Sequence, residues 1–434
     1  MKPILKRAAA SLALILLVAL ALRVAHLWEH AREIPHHALG TVPFLYEPGN
    51  IAYSVATGGG FSSPFREKTG PTAWDTPVYP LLIAAMFQIF GTYTFAAYLA
   101  TVSLNILFST FTCVPLFFAG RRIGGASLGA ATAWLWAFFP NAVVIPTDWV
   151  WDTSLSALLA AIILWSTLEI ADSRRVRDWI LYGLLWGLTL MTNPTLASLL
   201  PLLLGWAAWR AHRRAEKWLG RAAISAAIVA LCCVPWTARN FIEFDSFVPF
   251  RSVLGLQLWL GNNDAYKDAF PGYLHPIDNS KERKKYVAMG EIAYMAEKKH
   301  QAITWMEANP ARVTRTSWER FVGTWLATPT PWRDFRATNS LLIRTVFVAN
   351  FLAAIGTLAG IVVLWWRRSE FAFPVTVFPL IFPWPFYLSQ SLLRYRHPID
   401  PILMLLTAIA VVAAWQRISV HQRQPLTPES QPRR

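Results

Sequence analysis

Long apolar runs recur along almost the whole chain, and they restrict its fold more than any other feature. About 20 helical residues span the roughly 30 Å hydrocarbon core of a bilayer. Each run is expected to be helical, because a backbone in lipid must satisfy its own hydrogen bonds. Ten crossings are predicted, at 8–28, 95–119, 126–146, 149–171, 178–192, 194–210, 220–238, 341–366, 371–389 and 398–416. The sequence therefore predicts an all-α polytopic membrane protein.

The composition agrees with a membrane protein. Apolar residues make up 55% and charged residues 15% of the 434 residues, against roughly 25% charged in soluble domains. The 22 tryptophans are typical of the aromatic belts at membrane surfaces. A net charge of +15 would suggest nucleic acid in a soluble protein. Here the basic residues cluster in short loops between apolar runs, so we expect a lipid bilayer and no nucleic acid as partner.

The basic clusters indicate how the helices are oriented. They lie at the N-terminus (Lys2, Lys6, Arg7), at 121–122, 174–177, 210–217 and 367–368, and in the tail from 417. Ten alternating helices place all of them on one face, which the positive-inside rule makes cytoplasmic. Residues 77–92 are also apolar, but counting them as a crossing would invert every later cluster. We therefore predict a helix at the outer interface there, and a bacterial inner membrane protein with both termini cytoplasmic.

This topology divides the chain into four parts. Residues 1–238 are predicted to form an N-terminal transmembrane module with a large outer loop at 29–76. Residues 239–340 would form a small helical extracytoplasmic cap, 341–417 the C-terminal transmembrane helices, and 418–434 a disordered cytoplasmic tail. The three cysteines lie in apolar runs without disulfide or zinc spacing. No metal site or cofactor is predicted, and a divalent ion stays an open alternative.

Acidic residues on the outer face are candidate general bases. Glu47 follows the first helix, where a carboxylate can accept a proton from an attacking hydroxyl; a solvated loop acid is the alternative. Asp75 precedes a helix that opens at Pro77, and helix capping is a sufficient explanation for it. Asp148 and Asp152 are four residues apart at the predicted start of a helix. They are expected to share a face there, and the helix dipole favours them.

Two arginines on the outer face depart from the positive-inside trend. Arg394 and Arg396 lie in Leu393-Arg394-Tyr395-Arg396-His397-Pro398. Guanidinium groups bind phosphate oxygens through paired hydrogen bonds, and at this depth the natural phosphate is a lipid head group. Pairing with Asp148, Asp152 or Asp400 is the alternative.

At these residues the chain resembles the bacterial members of glycosyltransferase family 39. These are relatives of the protein O-mannosyltransferases and the lipid A aminoarabinose transferases, with the C-type membrane fold. Four segments carry the resemblance in the family's order: Glu47 followed by Ile51-Ala52-Tyr53, Pro77-Val78-Tyr79-Pro80-Leu81-Leu82 leading to Phe90-Gly91, Pro235-Trp236-Thr237-Ala238-Arg239-Asn240 leading to Gly261-Asn262-Asn263, and Arg394-Tyr395-Arg396-His397-Pro398. The expected fold is a C-type helical bundle with a large first outer loop and a small cap.

The resemblance implies an inverting transfer of a sugar from a polyprenyl-phosphate donor to an acceptor hydroxyl on a protein, lipid or glycan. The resemblance implies that Glu47 is the catalytic base, and Asp75 stays an alternative because many relatives carry Asp-Glu where this chain has Tyr46-Glu47. The residues expected at the donor phosphate are Arg394, Arg396 and Arg239. Those expected in the substrate pocket are Asp148, Asp152, Tyr79 and Asn240.

Three other functions are alternatives to this one. A transporter or flippase of lipid-linked sugar would favour internal repeats and a site near mid-membrane, and no repeat is visible in the sequence. An O-antigen ligase or polymerase would use the same face and the same class of lipid. A purely structural protein leaves the outer acids and arginines unexplained.

Overall fold

The computed structural model describes residues 11–214, 217–266, 272–328 and 331–421. Helices dominate these residues, and their one β-type pairing is an isolated antiparallel bridge between Ser62 and Pro71. The all-α prediction is confirmed. The basic N-terminal residues Lys2, Lys6 and Arg7 lie outside the described residues.

The first half of the chain contains eleven α-helices in its described residues. They are α1 Leu12–Glu33, α2 His36–Thr41, α3 Glu47–Ala56, α4 Val78–Phe90, α5 Phe95–Phe111, α6 Cys113–Phe138, α7 Pro140–Asp148, α8 Thr153–Ile170, α9 Val176–Thr192, α10 Leu200–Arg213 and α11 Leu219–Phe244. Short 3-10 helices lie at Val42–Phe44 and Pro194–Leu199.

The second half adds the cap and the last membrane helices. Its α-helices are α12 Leu254–Gly261, α13 Ser280–Met289, α14 Glu291–Ala308, α15 Pro310–Leu326, α16 Pro331–Ala337, α17 Leu341–Trp366, α18 Ala372–Ile381, α19 Trp384–Leu388, α20 Leu393–Arg396 and α21 Asp400–His421. Further 3-10 turns lie at Gly272–Leu274 and His397–Ile399. Because α21 continues to His421, the tail predicted to be disordered from 418 begins with helix, and residues 422–434 lie outside the described residues.

The apolar helices make this a multi-pass membrane protein. Within the described part of the chain, six stretches are long and apolar enough to cross a bilayer: Leu12–Glu33, Phe95–Phe138, Thr153–Ile170, Leu219–Phe244, Leu341–Trp366 and Leu393–Arg417. Val78–Phe90 and Ala372–Leu388 are shorter apolar helices. Each of the ten predicted crossings overlaps a helix, and the apolar segment at 77–92 is helical as predicted.

Local chemistry explains where the long helices break. Gly124 and Gly125 interrupt α6 with non-helical backbone, and Gly125 has a φ of 83°, a conformation that glycine adopts without a Cβ clash. After α9, the Asn193 side chain accepts a hydrogen bond from the Thr195 backbone N–H and opens the next turn. Both breaks fall between crossings that the sequence predicts as separate.

Close helix packing holds the C-terminal pair α17 and α21 together. Gly360 lies so near the backbone of Leu406 that a Cβ at this position would stand 2.1 Å from the Leu406 carbonyl oxygen. Small residues at such contacts allow the backbones of membrane helices to approach. A side chain at position 360 would therefore push the two helices apart.

The first outer loop and the cap share a hydrophobic core of their own. Its buried members are Ile51, Phe65, Trp74, Leu256, Leu260, Ile277, Tyr286, Tyr294 and Met295. This core fixes residues 47–76 against the cap, and thereby fixes the carboxylates that the loop carries.

A buried carboxylate, Glu291, ties the same pieces together. It accepts hydrogen bonds from the Thr72 hydroxyl (2.5 Å), the Ala73 N–H (2.7 Å), the Ser252 hydroxyl (2.6 Å) and the Tyr286 hydroxyl (2.5 Å). Four donors compensate for the loss of hydration on burial. Glu291 therefore joins the loop before Asp75, the segment around residue 252 and the cap at one point.

Candidate active site

A cavity of about 420 Å³ lies where the first outer loop, the cap and the ends of α8, α9 and α20 meet. Its polar lining includes Glu47, Asp75, Asp152, Asn193, Arg251, Gln257, His275, Asp278, Gln390 and Arg394. Aromatic and apolar side chains such as Trp74, Trp151, Phe250 and Phe386 complete the walls. Four residues predicted for the site, Glu47, Asp75, Asp152 and Arg394, thus share one concave space.

Glu47 is the first residue of α3, and its side chain is buried in the cavity wall with 5% of its surface exposed. Pro48 is tolerated in the first helical turn, because the backbone N–H that proline lacks would have no hydrogen-bond partner within the helix there. The pKa of Glu47 is raised to about 7, chiefly by burial; the nearby Asp75 contributes to the rise, while a backbone hydrogen bond and Arg394 oppose it. The carboxylate is therefore poised to exchange a proton near neutral pH.

His275 is the partner of Glu47, with 3.3 Å between His275 Nε2 and Glu47 Oε1. Burial lowers the pKa of His275 to about 3, and the Arg394 charge lowers it too, so the ring is neutral. Its Nδ1 accepts a hydrogen bond from the Ile277 backbone N–H. The ring hydrogen must then be on Nε2, from which it is donated to the carboxylate. His275 thereby orients Glu47 without neutralising it.

Asp75 and Asp152 are placed around a second cation, Arg251. Arg251 Nη2 lies 3.0 Å from Asp75 Oδ1 and 3.9 Å from Asp152 Oδ2. Burial raises the pKa of Asp75 to about 6 against the opposing effect of Arg251. Burial also raises the pKa of Asp152, whose Oδ2 accepts a hydrogen bond from the Ser156 hydroxyl. Asp75 Oδ2 is buried without a hydrogen-bond partner among the described residues.

Arg394 presents unused donors to the cavity. Its guanidinium carbon lies 4.1 Å from the ring centre of Trp151 and 5.0 Å from that of Trp149. Its Nε and Nη1 are buried and make no hydrogen bond to any described residue. A desolvated guanidinium held between aromatic rings with free N–H groups is suited to receive an anion.

The expectation that Arg396 and Arg239 contact the donor phosphate does not fit their positions. Arg396 is buried outside the cavity, where its Nε donates to Asp400 (2.7 Å) and its Nη1 to the carbonyls of Thr324 and Trp325. Arg239 donates to the carbonyl oxygens of Phe61 and Thr72, both at 2.7 Å. Both guanidinium groups hold protein segments together, because their donors are already used by internal acceptors.

Tyr79 and Asn240, predicted for the substrate pocket, also lie outside the cavity. The Tyr79 hydroxyl donates to Asn105 Oδ1 within the helix bundle (3.1 Å). Asn240 is fully buried, and its amide donates to the Val248 carbonyl (2.9 Å).

Asp148 does not share a helical face with Asp152, contrary to the prediction. Asp148 is the last residue of α7, and Asp152 immediately precedes α8, with non-helical residues between them. Asp148 pairs with His26 (3.3 Å) and His30 (3.7 Å) of α1, away from the cavity.

Two cavity residues, Arg251 and His275, were not predicted. Arg251 could have been found by the criterion that identified Arg394, because it too is a basic residue in a segment predicted to lie on the outer face. His275 lies in a cap segment without periodicity, next to Pro276, and has no comparable signal. Among the described residues, no group of three or more His, Cys, Asp or Glu side chains is arranged to hold a metal ion.

Residues 74–238 match the family model described as dolichyl-phosphate-mannose-protein mannosyltransferase. The resemblance to glycosyltransferase family 39 is therefore confirmed, on a stretch that includes Asp75 and Asp152. A comparison with curated proteins gave no match.

Solved structures of an oligosaccharyltransferase from Archaeoglobus fulgidus have a similar fold. The apo form and the AglB complex with an inhibitory peptide and a dolichol-phosphate each give a TM-score of 0.52 at 12% identity. The similarity covers 95% of this chain and 51% of each of those chains. The chain thus spans about half the length of the structures it matches, and it has the fold of the C-type membrane glycosyltransferases.

Proposed function

For a membrane protein with the C-type glycosyltransferase fold and a family 39 domain at residues 74–238, we propose transfer of a sugar from a polyprenyl-phosphate carrier to an acceptor hydroxyl. The acceptor is a protein, lipid or glycan on the extracytoplasmic face. The family description names a dolichyl-phosphate donor, and AglB was solved with a dolichol-phosphate, which supports this class of carrier lipid.

The observation that carries the proposal is the convergence of Glu47, Asp75 and Arg394 around one cavity. These residues come from the first outer loop and from near the C-terminal membrane helix, so only the fold brings them together. The cavity offers a proton acceptor and a free guanidinium, which are the two groups that displacement of a phosphate by a hydroxyl requires.

In the proposed reaction, the acceptor hydroxyl attacks the anomeric carbon from the face opposite the phosphate. The new carbon–oxygen bond forms as the bond to the phosphate oxygen breaks, and the configuration inverts. Glu47 takes the hydroxyl proton, and the polyprenyl phosphate departs with the bonding electrons. The N–H groups of Arg394 stabilise the negative charge that develops on this leaving group.

Glu47 is the better candidate for the base, because its partner His275 is neutral whereas Asp75 faces the cation Arg251. A carboxylate with a pKa of about 7 is also a stronger proton acceptor than an ordinary one. We assign to Asp75 the role of holding Arg251 in the cavity, where this second guanidinium adds positive charge.

The test is a transfer assay with the purified full chain in lipid nanodiscs. Synthetic polyprenyl-phosphate sugars are offered together with a panel of hydroxyl-bearing peptides, lipids and glycans. The expected result is release of polyprenyl phosphate and a product of inverted anomeric configuration by NMR. Retention of configuration would contradict the mechanism. Movement of intact lipid-linked sugar across the bilayer without transfer would instead indicate a flippase.

A further inference from the structure

A second concave surface follows α10 away from the cavity. The segment 193–195 lines the cavity and opens the 3-10 helix that precedes α10, and the groove follows α10 from Pro201 to its arginine end at Arg213 and Arg214. With a rise of 1.5 Å per residue, the 14 residues of α10 place the arginine end of the groove about 20 Å from the start of that helix. The groove lies at the end of the bundle that carries the basic clusters, so it is separate from the proposed reaction.

Tryptophans and arginines line this groove together. It has a volume of about 870 Å³ and lies between α10 and the connection from α17 to α18. Its tryptophans are Trp206, Trp209 and Trp365, and its arginines are Arg210, Arg213 and Arg214. Trp209 and Trp365 expose 53% and 54% of their surface, which is unfavourable in water and typical of side chains at a membrane surface.

The charges around the groove do not balance among the described residues. Arg210 pairs with Glu370 and lies 3.6 Å from Asp172, and Arg214 also pairs with Asp172. Asp172 also forms an ion pair with a third arginine, Arg122. Arg213 stacks on Trp209, with 5.7 Å between its guanidinium carbon and the ring centre, and has no carboxylate partner in the described part of the chain. Four arginines thus face two carboxylates.

We propose that this groove binds a diacyl phospholipid with an anionic head group. Its apolar and indole walls fit acyl chains at the level where hydrocarbon meets water. Arg213 would bind the phosphate, with the Arg214 charge beside it, since basic pockets between membrane helices on the cytoplasmic side recognise such head groups. The excess positive charge selects a net-negative lipid such as phosphatidylglycerol over the zwitterionic phosphatidylcholine with the same chains.

Native mass spectrometry of the full chain in detergent micelles tests the proposal. The protein is titrated with phosphatidylglycerol and, in parallel, with phosphatidylcholine of identical acyl chains. The expected result is tighter binding of one phosphatidylglycerol, which Arg213→Gln weakens about fivefold, as expected for one basic contact near a lipid head group. Arg177→Gln is the matched control, because Arg177 is an exposed arginine of α9 that does not line the groove.

Three outcomes would overturn the proposal. They are equal affinity for the two lipids, equal loss in the Arg213→Gln and Arg177→Gln variants, and full displacement of the lipid by inorganic phosphate. The last would mean that the arginines bind a free anion and that the tryptophan walls contribute nothing. Because Arg213 is exposed and far from the cavity, the variant is expected to keep its fold, which an unchanged melting temperature verifies.

Discussion

Asp75 and Arg251 form an ion pair inside the cavity, with 3.0 Å between Asp75 Oδ1 and Arg251 Nη2. Glu47, on the same cavity, is instead oriented by the neutral imidazole of His275. The two acids that the sequence left as candidates for the base therefore have different surroundings. One is bound to a cation, which reduces its basicity, and the other retains a raised proton affinity. This difference underlies the predictions that follow.

The pH dependence of turnover should report the state of Glu47. Because burial raises its pKa to about 7, the ionised base is lost as pH falls below that value. We expect kcat/KM to fall about tenfold per pH unit below pH 7 and to level off above it. Asp75→Asn should keep this acidic limb but move it to somewhat lower pH, because the Asp75 charge raises the pKa of Glu47. A limb near pH 4.5, the usual value for a solvated glutamate, would mean that Glu47 is not the titrating base.

The same raised pKa predicts a stability effect of opposite sign. Folding favours the protonated form of Glu47, so the stability it contributes is complete below its ordinary pKa of 4.5 and is lost as pH rises through about 7. Glu47→Gln cannot ionise, so its melting temperature should equal that of the wild type at pH 4 and exceed it by a few degrees at pH 8.5. Differential scanning fluorimetry in detergent measures both. A lower melting temperature of the variant at pH 8.5 would contradict the burial argument.

Replacement of Arg394 should affect the donor more than the acceptor. Its free Nε and Nη1 groups predict that Arg394→Ala raises the donor KM about 10- to 100-fold, the range for a lost hydrogen bond to a charged group. Arg394→Lys keeps the charge but not the paired donors, so an intermediate effect is expected. Arg315→Ala is the matched control, because Arg315 is exposed on α15. An unchanged donor KM in Arg394→Ala would remove Arg394 from the phosphate site.

Glu291 should matter for activity although it does not line the cavity. Its four hydrogen bonds hold the loop before Asp75 against the segment beside Arg251. Glu291→Gln turns one acceptor oxygen into an NH₂ group that faces donors, which costs about 1–3 kcal/mol. We expect a lower melting temperature and a lower kcat. Glu297→Gln, at the surface pair with Lys285, should change neither, and an equal effect of both variants would refute the role of Glu291.

The fold was largely predictable from the sequence because lipid simplifies the problem. Apolar runs must be helical, and basic clusters indicate their orientation, so each predicted crossing overlaps a helix. The same topology grouped Glu47 and Asp75 on the predicted outer face and drew attention to Arg394 as a basic residue there, against the positive-inside trend. The sequence could not distinguish the role of Arg394 from that of Arg396, because both are arginines of the same short segment on the predicted outer face. It depends on the short helix α20, which turns Arg396 toward Asp400 and leaves Arg394 at the cavity.

The roles of other residues could not be predicted from the sequence, because they depend on contacts between distant segments. Arg251 and His275 lie in irregular segments, where no periodicity predicts which way a side chain points. The prediction that Asp148 shares a helical face with Asp152 was wrong, because the chain breaks between α7 and α8 and Asp148 instead contacts the histidines of α1. Tyr79, Asn240 and Arg239 find internal hydrogen-bond partners that only the packed structure reveals.

The central claim, that Glu47 accepts the proton of the acceptor hydroxyl, is tested most directly by comparing Glu47→Gln with Asp75→Asn in the same nanodisc assay. Single-turnover transfer is measured together with the Kd of the polyprenyl-phosphate sugar. We predict that Glu47→Gln lowers the transfer rate at least about 100-fold, as expected for loss of general-base catalysis, with an unchanged donor Kd. Asp75→Asn should retain more activity. Full transfer by Glu47→Gln, with loss of transfer only in Asp75→Asn, would contradict the assignment.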